Sequence, residues 1–184
     1  MYKSFIIPLL AAAMSLLVTP VNAQGPEPDW ELVLKQDLNL LGHRNWILVV
    51  DKAFPEQSSP GMKTIYVEKE LLPVLEKVLN EIESSTHVKP VIYSDKELSY
   101  IHEEQVRGIN NFKSERAMIL GGRAVNTMLH DDVFRLLDEQ SALFKTLVIK
   151  TNCTIPYSSF FLQLDCAYWG PEQEAELRRK MATQ

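Results

Sequence analysis

A histidine and an aspartate bracket the first apolar run of this sequence. His43 follows Leu41-Gly42, and Asp51 stands eight residues later, directly after WILVV. An imidazole titrates near neutrality and can both take and give a proton there. A carboxylate at the C-terminal end of a strand in an α/β sheet opens onto the crevice where ligands bind. Five strand residues span about 17 Å, so the two side chains meet only over a strong bend or across a subunit interface. The same residues also read as local caps, His43 at a helix end and Asp51 in a loop.

A second patch, Thr154 to Ser159 (TIPYSS), lies between two apolar runs. Its hydroxyls and backbone suit a polyol, and Tyr157 adds a phenol hydrogen bond and an apolar ring face. The alternative is a hairpin turn with Tyr157 packed on its edge. His130 precedes Asp131-Asp132. It is either a ligand contact or a surface histidine near a helix start. His87 and His102 read as ordinary exposed residues. The sequence has no GxGxxG, Walker loop, HExxH or GxSxG, and Gly121-Gly122 is too short to cradle a phosphate.

Periodicity supplies the elements that must hold these residues. Apolar spacing predicts a helix over 30–41 ended by Gly42, and a strongly periodic helix over 70–84. A less regular helix is expected over 99–112, a single or broken one over 125–144, and a charged one over 171–180. Short apolar runs predict strands at 46–50, 62–67, 88–93, 116–120, 145–150 and 158–164. Pro90 places its strand at an edge, or itself near a strand start. Alternating strands and helices predict one α/β domain over 30–184, three-layered, with a mostly parallel central sheet flanked by helices.

The ends and the charge narrow the role. Lys3, the uncharged fourteen-residue run from Phe5 to Val18, and Val21 and Ala23 form the layout of a secretory signal peptide over 1–23. That run is short of the roughly 20 apolar residues a span needs. An exported chain without a stable membrane span after cleavage is therefore expected, with 24–29 as a flexible lead-in. Nineteen Lys and Arg against 24 Asp and Glu give a net charge of −5, which argues against nucleic acid as a partner. Cys153 and Cys166 are too few for a structural zinc site. Set in strands on either side of a tight turn near 154–156, they favour free thiols over a disulfide, because Cys153 in such a hairpin faces a residue near 157.

Taken together, Leu41-Gly42-His43, the strand ILVV, Asp51, Phe54-Pro55 and, near the C-terminus, Pro156-Tyr157-Ser158-Ser159 before FFLQL resemble the ribose pyranase and fucose mutarotase family. LLPVLEKVL stands where that family has its first long helix, and the resemblance runs over roughly 30–168. It implies an acid/base role for His43 and substrate contacts for Asp51 and Tyr157, with Ser159 where the family usually has Asn. His130 would match a further binding histidine, and Asn45 replaces a frequent Asp. The implied activity is monosaccharide ring-form or anomer interconversion, with no cofactor and no metal. The implied partners are a small monosaccharide and copies of the same chain in a ring-like homo-oligomer with sites between subunits. The two replacements and the exported character leave a second expectation open: a non-catalytic carbohydrate-binding or assembly protein on the same fold.

Overall fold

The structure is a computed structural model and describes residues 29–183. The expected signal peptide and all of the lead-in but Asp29 lie outside the described residues. Six strands form one sheet: β1 (Trp46–Val50), β2 (Met62–Tyr66), β3 (Val88–Asp95), β4 (Val125–Met128), β5 (Thr146–Lys150) and β6 (Phe160–Cys166). Their order is β2-β5-β1-β6-β3-β4. β5 is parallel to both β1 and β2, and β3 is parallel to β4. β6 runs antiparallel between β1 and β3 and joins the two groups.

The sequence explains the layers. β1 is buried at all five positions, so its side chains serve both faces of the sheet. Ile47 and Val49 join the core under α1 (Trp30–Leu38), α2 (Leu71–Ser84) and α3 (Ile109–Leu120). Trp46, Leu48 and Val50 join a smaller core with Val133 and Leu137 of α4 (His130–Ser141). The apolar stripe of α2 supplies seven buried residues, among them Leu75 and Val78 at 0% exposure. Each such side chain contributes roughly 1.5–3 kcal/mol by leaving water. The expected three-layer α/β domain with a mostly parallel sheet is the fold observed. A fifth helix, α5 (Pro171–Ala182), buries no residue.

Several local expectations are corrected. Residues 116–120 form no strand; they complete α3, which runs between Gly108 and Gly121, both left-handed. Met118 is 71% exposed, which a buried strand would not tolerate. The helix expected over 99–112 is instead a 3-10 turn at Lys96–Tyr100, a loop, and the start of α3. Residues 125–128 are β4, not helix. Val125, Met128 and Leu129 mimic helical spacing, but pairing with Ile92 to Asp95 of β3 decides the outcome. The first helix stops at Leu38 with Asn39 as its cap, so Gly42 does not end it.

β5 and β6 form no hairpin either, because β1 lies between them. Cys153 therefore sits in a crossover loop and is buried, while Cys166 ends β6 half-buried; both are free. Pro90 occupies an interior strand near its start, where the β4 side is still unpaired because that pairing begins at Ile92. His87 is not an ordinary exposed residue. It is half-buried, with Nε2 3.1 Å from the carbonyls of both Leu38 and Leu41.

Candidate functional site

Asp51, Asp95 and Ser159 lie at one end of the sheet, because β1 and β3 finish where the antiparallel β6 begins. The chain diverges at this point: β1 leads outward to β2 and β3 leads the other way to β4. Such a divergence in strand order opens a crevice at the strand ends. Here it is a cavity of about 470 Å³ walled by the β1–β2 loop, the start of α4 and the β5–β6 loop, a size suited to a small-molecule ligand.

Asp51 is fixed by its own loop and by β6. Its Oδ1 accepts the Ala53 N–H at 2.8 Å. Its Oδ2 accepts the Ser159 hydroxyl at 3.1 Å, while the Ser159 Oγ accepts the Asp51 N–H at 3.1 Å. Each carboxylate oxygen keeps a free lone pair for a ligand hydroxyl. Ser159 is 2% exposed and is absent from the cavity wall, so its hydroxyl acts on Asp51. A Ser159→Ala protein is expected to lose about 1–3 kcal/mol of stability by urea denaturation, because the Asp51 N–H and one carboxylate oxygen lose their partner.

Tyr157 and His130 form the facing wall. Tyr157 holds φ at +57°, a left-handed conformation that costs a bulky residue free energy and that the surrounding structure must enforce. Its ring meets the His130 ring edge-on, with centroids 5.2 Å apart at 89°. Phe134, one turn along α4, packs on His130 at 4.8 Å and stacks with Phe54 at 5.3 Å. The wall thus offers apolar ring faces around a few polar groups, the composition that grips a sugar's C–H and O–H sides.

His130 is more than a surface histidine at a helix start. Its backbone N–H bonds both carboxylate oxygens of Glu97, at 3.0 and 3.2 Å. Its Nδ1 stands 3.2 Å from Oδ2 of Asp95, whose side chain is fully buried. Burial pushes the Asp95 carboxyl up to about 6, against the pull of His130 in the other direction. Asp95 and Glu97, which hold His130 from behind the cavity wall, are residues that the sequence reading missed. The signal is present: Asp95 closes VKPVIYSD as Asp51 follows WILVV, but the apolar pattern alone ends that strand at Tyr93, two residues short of the observed β3.

His43 lies elsewhere. It is exposed in the 42–45 loop before β1, at the opposite end of that strand from Asp51. The chain therefore brings together Asp51, Tyr157 and His130, holds Ser159 behind Asp51, and leaves His43 apart. The loop carrying His43 is well defined. Arg44 is left-handed at φ +73° and donates its N–H to the Leu164 carbonyl at 2.8 Å. Asn45 accepts the Gly42 N–H through Oδ1 and donates through Nδ2 to the Lys145 carbonyl. An Asp at this position would accept but not donate, so Asn45 has a structural reason of its own. Among the described residues, no group of three or more His, Cys, Asp and Glu side chains is placed to hold a metal ion. No helix among them is long and apolar enough to cross a membrane.

No protein-family model matches the chain, and no curated protein matches it by sequence. Solved structures do. RbsD from Bacillus subtilis, complexed with D-ribose, is similar at a TM-score of 0.51 and 17% identity, over 71% of this chain and 89% of that one. FucU from Bifidobacterium longum is similar at 0.47 and 13% identity, over 72% and 92% of the two chains. The fucose mutarotase from Streptococcus pneumoniae, in complex with L-fucose, is similar at 0.47 and 18% identity, over 70% and 87%. At these identities the likeness to RbsD is one of fold, and the single α/β domain read from the sequence has its counterpart there.

Proposed function

We propose that this protein interconverts ring forms or anomers of a small monosaccharide. The observation that carries the reading is the convergence of Asp51, His130 and Tyr157 on one cavity at the strand ends. Ring exchange needs one group to take the proton of the anomeric hydroxyl and another to protonate the ring oxygen as the hemiacetal opens. Closure on the other face, or at another hydroxyl, returns both protons. Asp51 accepts sugar hydroxyls and Tyr157 supplies a hydrogen bond and a ring face. His43 serves as an acid/base group from a second copy in a ring-like homo-oligomer. The D-ribose bound by RbsD makes ribose the first sugar to try. The 1–23 segment sends the chain out of the cytoplasm, to the periplasm or beyond.

Saturation-transfer NMR on ribose, fucose and a wider monosaccharide panel tests this. Exchange faster than in buffer for at least one sugar is expected; none, from an assembled protein, refutes it. The second reading, a non-catalytic carbohydrate-binding or assembly protein, has its own support. The hydroxyl of Ser159 is committed to Asp51 and the amide of Asn45 to Gly42 and Lys145. Calorimetric sugar binding without exchange would favour it.

A further inference from the structure

Resting on the exchange reading, we infer that Asp95 is a positioning residue: its carboxylate holds the buried Nδ1 of His130, so that the ring's other nitrogen exchanges a proton with a sugar hydroxyl in the strand-end cavity. Asp95 is the last residue of β3 and is 1% exposed. Among the described residues, neither of its carboxylate oxygens has a hydrogen-bond partner, and the same holds for Nδ1 of His130. The two orphaned groups face one another at 3.2 Å without the alignment of a hydrogen bond. A buried carboxylate without a partner costs free energy, and a group of that kind beside an imidazole at a cavity wall marks a functional site.

The ring geometry assigns the nitrogens. Nδ1 is buried, yet the His130 side chain is 37% exposed and lines the cavity. Nε2 is thus the nitrogen left for a ligand. Glu97 pins the backbone of His130, and Tyr157 and Phe134 pack on its ring, which fixes the direction of Nε2. In the reaction, Nε2 takes the proton of a sugar hydroxyl, and Nδ1–H stays turned to Asp95, whose charge stabilises the imidazolium. The imidazolium then returns that proton to a sugar oxygen, so no net proton is consumed. His130 becomes the second proton-transfer group that ring exchange requires beside His43.

The test is Asp95→Asn in the full chain, read by nitrogen-15 NMR of the His130 ring and by exchange kinetics. Asp51 from the β1–β2 loop, Glu97 from the 3-10 turn and Tyr157 from the β5–β6 loop also face this pair, and stay unchanged in the variant. In the wild type the Nδ1–H tautomer of His130 is expected. In Asp95→Asn, the preference for that tautomer is expected to be lost, with kcat down at least about tenfold and KM within about twofold. An identical His130 tautomer in both proteins overturns the inference, as does unchanged kcat. If Asp95→Asn does not fold, an Nε2–H tautomer in the wild type overturns it. A wild type that exchanges no sugar refutes the exchange reading, and the NMR comparison still decides whether Asp95 holds His130.

Discussion

A His43→Ala protein is expected to fold normally and to lose sugar exchange by roughly 10²–10⁴-fold, the usual worth of an acid/base group. His43 is exposed in a loop whose shape is set by Arg44 and Asn45, so its removal leaves stability within about 0.5 kcal/mol. The separation of His43 from Asp51 makes a sharper experiment possible. If each site takes its His43 from one copy and its Asp51 from the next, assemblies mixed equally from His43→Ala and Asp51→Asn chains contain sites in which both residues are intact. About a quarter of the wild-type rate should return, although each parent is inactive. Mixed assemblies, verified by mass spectrometry, that stay as inactive as their parents would exclude a shared site.

The second large effect concerns Asp95 and acidity. Its carboxyl is raised from 3.8 to about 6 by burial, so between those values the folded protein binds a proton that the unfolded chain has released. The contribution of Asp95 to stability therefore falls as the pH climbs from about 4 to about 6, and levels off above. The full shift amounts to about 3 kcal/mol. Asp95→Asn removes the titration. Urea-denaturation free energies of the two proteins should converge towards pH 4 and separate by up to that amount at pH 7, with the variant gaining relative to the wild type. Parallel pH profiles would show that Asp95 titrates alike in the folded and unfolded chains. A charge that weakens the fold at neutral pH yet sits against a cavity histidine is the trade expected of a functional residue.

Much of this was legible in the residues. The seven buried positions of α2 and the five of β1 follow directly from apolar spacing, and the strand-end position of Asp51 came with them. Where reading failed, a long-range contact had outvoted a local pattern. Val125 to Met128 has helical spacing until β3 offers it an edge. The residues either side of 154–156 look like a hairpin because nothing local announces that β1 runs between them. Asp95 was missed for a related reason: Ser94 and Asp95 are polar, and only the pairing with β6 and β4 and the contacts with Arg116 of α3 and His130 of α4 show them to be buried. The distance between His43 and Asp51, by contrast, was legible from strand rise alone.

The strand that joins the two parts of the sheet, β6, is also the last to be made among the described residues. Until β6 has left the ribosome, β1 with its neighbours and β3 with β4 have no backbone bonds to one another. A nascent chain cut short before Phe160 would hold two unjoined half-sheets, each with a raw edge open to aggregation. The crevice lined by Asp51, His130 and Tyr157 exists only once those halves are zipped, so ligand capture has to wait until β6 is in place.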